Sequence, residues 1–151
     1  MFYHSHSQKN KKDKDENNKK IEKETKKLQT LSNEIPNSIS IASKLKFKDE
    51  LSLISNLDVM VSMDSGNAHL AAMYGVPTMT LWGNTHPYAG FAPVFQPENH
   101  QLLPDRNQYP GLPTSVFGKE VPKGYEKVME SINPKTVAHK MRELLNVARA
   151  G

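Results

Sequence analysis

The 151-residue chain contains no cysteine, which excludes disulfides and thiolate-bound metal sites and is compatible with a reducing compartment. It also lacks any apolar run approaching the roughly 20 residues that a membrane-spanning helix needs. Its opening, MFYHSHSQKNKKDKDENNKK, has no apolar core of the kind that marks a secretory signal. A soluble, cytoplasmic protein is therefore the expectation. Apolar residues make up only 36% of the chain, but the deficit is concentrated in the N-terminal third, and the middle reads as an ordinary folded protein. The length suits one domain with a sizeable core and is too short for two full ones.

Arginine is scarce and aromatics are absent between Lys9 and Lys27. That stretch holds most of the excess charge behind the net +4 and the pI near 9.2. Base stacking has nothing to work with there, so no nucleic-acid partner is expected. Asp13, Asp15, Glu16, Glu22 and Glu24 interleave with the lysines. A solvated, partly disordered segment follows, capable at most of a salt-sensitive peripheral contact with an anionic surface such as the inner face of a membrane. Two catalytic signatures are missing as well. Met63 and Asn67 stand where a serine-hydrolase elbow around Ser65 needs glycines. Only one Asp-Ser-Gly turn exists and a helical pattern follows it at once, whereas an aspartic protease needs two such carboxylates in an all-β frame.

Along the chain, residues 1–17 are expected to be disordered and a folded domain to occupy 18–151. A helix is expected from Asn18 to Leu31, with Ile21, Leu28, Leu31 and Ile35 near one face, ended by Pro36. Ser38–Ala42 alternates polar and apolar, which predicts a short strand. Phe47–Leu57 reads as an amphipathic helix. Its internal KDEL cannot serve as a terminal retention signal. The run from Asp58 to Met63 then predicts a buried parallel strand, Gly66 to Tyr74 a helix stopped by Gly75, and Pro77 to Trp82 a second strand. That is a βαβ unit, with a right-handed crossover expected. A long stretch rich in proline and glycine follows, packed on the domain surface by Tyr88, Phe91, Phe95 and Tyr109. Tyr125–Ile132 predicts a short helix, and Asn133-Pro134 caps a closing helix with Val137, Met141, Leu144 and Leu145 on one face.

The chemistry concentrates in VSMDSGNAHLAAMYGVPTMTLWG, Val61 to Gly83. At the carboxyl end of a parallel strand the first amides of the next helix have no intrahelical partner. They point into the crevice where open α/β sheets bind ligands, and the helix start carries about half a positive charge. Together these features make an anion seat, with phosphate its usual occupant. Gly66 lets a ligand approach the backbone, Ser65 offers a hydroxyl, and His69, one turn on, offers a ring N–H. Asp64 would serve ligand hydroxyls or the helix amides. The plainer reading makes Asp64 or Ser65 an N-cap, Gly66 a backbone convenience and His69 a packed residue.

The string D-S-G-N-A-H-L-A-A-M-Y-G-V-P-T-M-T-L-W-G-N-T-H-P resembles the heptosyltransferases of glycosyltransferase family 9. Asp64, Ser65, Gly66, His69, Ala71, Gly75, Pro77, Trp82, Gly83, Thr85 and Pro87 fall in register with that pattern. The resemblance implies an α/β, Rossmann-like parallel sheet with flanking helices, equivalent to the C-terminal, donor-binding half of a two-lobed GT-B glycosyltransferase. It implies transfer of a heptose or related sugar from a nucleotide-sugar such as ADP-heptose to a lipopolysaccharide-type acceptor, without metal or other cofactor. Carried over, Ser65, Gly66, Asn67 and His69 would contact the diphosphate, Asp64 the sugar side and Leu45 the base, with Thr85 a further donor-binding residue. Asn67 and His86 depart from the pattern, where apolar and acidic residues are common. The acceptor lobe with its general base, and the strand and glycine-rich turn before the first helix, have no counterpart in the chain. A fragment truncated at its N-terminal side and inactive alone is therefore expected, with an apolar face left open. The alternative is a non-catalytic nucleotide- or protein-binding module built on the same fold.

Overall fold

In a computed structural model that describes residues 5–118 and 120–150, the chain divides into two compact units, Met1–Lys48 and Asp49–Gly151. In the N-terminal unit, α1 runs from Ser5 to Glu34. It starts well before the expected Asn18; residues 1–4 lie outside the described residues. The reason is local, since no proline or glycine interrupts the first 34 residues and Lys, Glu and Gln are good helix formers. Burial contributes little: Ile21, Leu28 and Leu31 share a face as expected but are all exposed. Propensity is therefore the main support of helicity there.

After α1 the chain turns back on the helix end. The Ser38 hydroxyl donates to the Ser32 and Ile35 carbonyls, both at 2.9 Å, and Lys44 Nζ donates to Gln29 Oε1 at 3.1 Å. Asn37 and Ser43 take the left-handed conformation, at φ 59° and 60°. The strand expected over Ser38–Ala42 does not form. These residues alternate correctly but join no ladder, and a strand exists only where a neighbouring strand pairs with it.

The C-terminal unit holds the sheet. α2 (Phe47–Ile54) enters it, followed by β1 (Met60–Met63), α3 (Gly66–Met73) and β2 (Thr78–Leu81). β1 and β2 are parallel, with Met60 opposite Thr78 and Met63 opposite Leu81, so the βαβ unit is present. α3 closes on Gly75, at φ +76°, with the Gly75 amide on the Ala72 carbonyl and the Val76 amide on that of Ala71. This is the left-handed stop that a glycine adopts without a Cβ penalty. Ile54, Ala71 and Val76 form the core between α2, α3 and the sheet, joined by Leu57, Met60 and Leu70.

The long loop supplies a third strand, β3 (Gln101–Leu102), parallel to β2 on its other side. β2 is thus central, with Thr78, Met79 and Thr80 fully buried. Trp82 is also fully buried, and its Nε1 donates to Gln101 Oε1 at 2.8 Å. A second cluster, Tyr109, Leu112 and Val128 with Tyr125 and Met129, packs the rest of the loop against a 3-10 turn over Val128–Ser131. That turn replaces most of the helix expected over Tyr125–Ile132. α4 (Pro134–Ala150) starts as expected, the Asn133 Oδ1 accepting from the Lys135 amide at 2.9 Å. Leu144 is buried, while Val137 and Leu145 are half-buried and Met141 lies at the exposed margin.

β1 departs from the buried strand expected of it. It pairs on one side only, and Val61 and Met63 are exposed, Met63 to 57%. An apolar strand edge without charge or proline is a surface that normally has a partner. The three strands run in chain order with no reversal, as one wing of an open parallel sheet does.

Candidate functional site at the carboxyl ends of the strands

β1 ends at Met63 and β2 at Leu81, so Asp64 and the residues after Trp82 meet above the same end of the sheet. Thr85 Oγ1 donates to Asp64 Oδ2 at 2.8 Å, tying the two strand exits together. The Thr114 amide donates to the Asn84 carbonyl at 3.1 Å and fixes the second exit from behind. Gly118 lies against Thr85 so closely that a Cβ there would stand 2.7 Å from Thr85 Cγ2. Asn84 Oδ1 and Ser115 Oγ are buried in this region without a hydrogen-bond partner among the described residues.

The helix start carries no side-chain cap. Ser65 is extended, at φ −158° and ψ 164°, and its side chain does not cap α3. Its hydroxyl instead pairs with that of Ser62 at 2.9 Å. Asp64 is engaged with Thr85, so neither residue is the side-chain N-cap that such residues usually provide. No acceptor among the described residues takes the Gly66 or Asn67 amide, and both residues are exposed. A Cβ built on Gly66 would meet nothing within 4 Å, so the space above it is open. His69, half-buried, sits one turn into α3.

Asp64, Ser65, Gly66, Asn67, His69 and Thr85 thus all belong to one strand–helix junction and the facing exit. Leu45 belongs to the N-terminal unit, half-buried at a bend before α2. Among the described residues no group of three or more His, Asp or Glu side chains could share a metal ion. No helix there is long and apolar enough to cross a membrane. A cavity of about 670 Å³ opens instead at the amino ends of the strands, between Pro77, His100, Lys140 and Leu144, on the side of the sheet edge away from this junction.

A family model for glycosyltransferase family 9 (heptosyltransferase) matches residues 9–116. The chain belongs to glycosyltransferase family 9. Its activity class is accordingly glycosyl transfer from a nucleotide-sugar donor to an acceptor. Searches of curated proteins and of solved structures find no match to the chain.

Sequence reasoning missed three residues around this junction. Gly118 and Asn84 gave no signal, because a glycine in a loop and an amide after a strand mean nothing until the two are seen around Thr85. His86 was noted only as a departure from the family pattern. It is buried, and its Nδ1 accepts from the Tyr88 amide at 3.2 Å, capping a 3-10 turn over Pro87–Ala89. Burial first, and then the Arg106 guanidinium, hold its pKa below the ordinary 6.5.

Proposed function

We propose that residues 18–151 of this family 9 glycosyltransferase form a nucleotide-sugar donor domain. The reading is supported above all by the α3 start, which the protein leaves uncapped and open. The donor's diphosphate sits on the Gly66 and Asn67 amides, with the Ser65 hydroxyl and the His69 ring N–H as further donors. The Asp64–Thr85 pair faces the sugar, where a carboxylate accepts from sugar hydroxyls. ADP-heptose is the proposed donor and a lipopolysaccharide-type acceptor the proposed recipient, at the cytoplasmic face of a membrane.

In the reaction an acceptor hydroxyl oxygen attacks the anomeric carbon. The bond from that carbon to the diphosphate oxygen breaks, and the nucleoside diphosphate leaves with the electron pair. Charge accumulates on the departing diphosphate, and preorganised amide dipoles stabilise it without reorganisation cost. The proton of the acceptor hydroxyl goes to a general base, which the family resemblance puts on an acceptor lobe.

Calorimetric titration with ADP-heptose, ADP and GDP tests the reading. Diphosphates are expected to bind, and Ser65→Ala and His69→Ala to weaken them by about 10-fold each, the loss of one hydrogen bond to a charged group. A folded protein that binds none of them would remove the donor role and favour a non-catalytic module.

A further inference from the structure

We propose that the cavity between His86, Tyr88, Ala89, Arg106 and Pro113 is a second anion subsite, shaped for a carboxylate or phosphate carried on a sugar-sized ring. Its volume is about 270 Å³, below the roughly 300–1,000 Å³ typical of drug-sized ligands and too small for a nucleotide. The inference goes beyond the donor reading and does not depend on it.

Two donors converge on this cavity. His86 Nδ1 accepts from the Tyr88 amide, so in the neutral ring the proton resides on Nε2. Nε2 has no protein partner among the described residues, yet it is not one of the buried, unsatisfied atoms. It is therefore accessible to solvent, on a ring that lines the cavity. Arg106 lines the same space and approaches closely enough to depress the His86 pKa. One of its guanidinium nitrogens donates to the Leu112 carbonyl at 3.3 Å, which positions the group. No carboxylate lies within ion-pair distance of Arg106 among the described residues, and no acidic residue lines the cavity. An arginine held in place without a counter-ion beside a ring N–H is a fork suited to a carboxylate or phosphate.

The remaining wall selects the body of the ligand. The Tyr88 ring, 4.8 Å from that of His86, is anchored at its far end by a 2.7 Å hydrogen bond from its hydroxyl to Glu98. Its face, with Ala89 and Pro113, offers an apolar surface against which a sugar ring can lie. His86 follows Thr85 directly, so the subsite adjoins the Asp64–Thr85 junction.

Titration of the full chain with glucose 6-phosphate, glucuronate and glucose, monitored through the His86 ring resonances, tests the proposal. At least one of the two anions should bind and shift those resonances, with glucose at least ~10-fold weaker. Which anion binds identifies the source of the charge. Arg106→Gln, at an exposed position, should weaken the anion by at least ~10-fold and leave ADP binding unchanged. Tyr88→Ala should weaken the anionic sugar more than inorganic phosphate. Anions that fail to shift His86 in a folded protein, or an unaltered isotherm in Arg106→Gln, would overturn the subsite. Loss of ADP binding in Arg106→Gln would overturn its separateness from the diphosphate seat.

Discussion

Gly118→Ala probes the geometry that joins the two strand exits. The substitution has two separable costs. At φ +64° an L-residue pays roughly 1–2 kcal/mol for the left-handed conformation. The new methyl would also stand 2.7 Å from Thr85 Cγ2, well inside contact distance. Thr85 is β-branched and stiff, and the simplest relief is rotation about χ1. That rotation carries Oγ1 off Asp64 and forfeits a hydrogen bond to a carboxylate, about 1.5–3 kcal/mol. Gly118→Ala should therefore cost roughly 2.5–5 kcal/mol in the native background. Thr85→Ser keeps the hydroxyl and removes Cγ2, so in that background only the backbone cost of about 1–2 kcal/mol should remain. Urea unfolding followed by the emission of Trp82, the one tryptophan in the chain, measures both. Equal costs in the two backgrounds, within about 0.5 kcal/mol, would show that Gly118 and Thr85 are not coupled and refute the proposed geometry.

Three further outcomes follow from the packing. Burial lowers the pKa of His86, with Arg106 adding to it, and that of His100, with Lys140 adding to it. Both are held neutral in the folded state, so the unfolded chain binds more protons around the ordinary 6.5, and stability is present above that value and lost as pH falls through it. The urea midpoint should drop between about pH 7.5 and 5.5, and His100→Gln should flatten the dependence. Thr80 Oγ1 is buried without a partner among the described residues, so Thr80→Val should be neutral or stabilise by up to about 1 kcal/mol in thermal unfolding, whereas a loss above that would mean the hydroxyl is bonded. In hydrogen exchange, the α1 amides over 5–17 should exchange near unfolded-chain rates while those of β2 are protected to the global limit. Strong protection over 5–17 would show that α1 is held by more than propensity.

By itself the sequence determined the β1–α3–β2 unit, because every signal there is local. Two short apolar runs flank a segment with no helix breaker, Gly75 supplies the left-handed stop, and Pro77 prevents continuation. It determined the family as well, since the Asp64-to-Pro87 string is a spacing within one unit. Only the tertiary structure decided what pairs with what. Gln101–Leu102 has no strand pattern and becomes β3 because the open side of β2 offers it hydrogen bonds. Ser38–Ala42 has the pattern and no ladder, so it joins no sheet. The uncapped helix start, too, could not be read from Asp64 and Ser65. Their side chains are drawn away by Thr85 and Ser62, and only the folded sheet determines that competition. Gly118 against Thr85 and Arg106 beside His86 are contacts across a loop without periodicity. Periodicity reports which face of an element is buried, whereas loop closure depends on packing partners that no local pattern encodes.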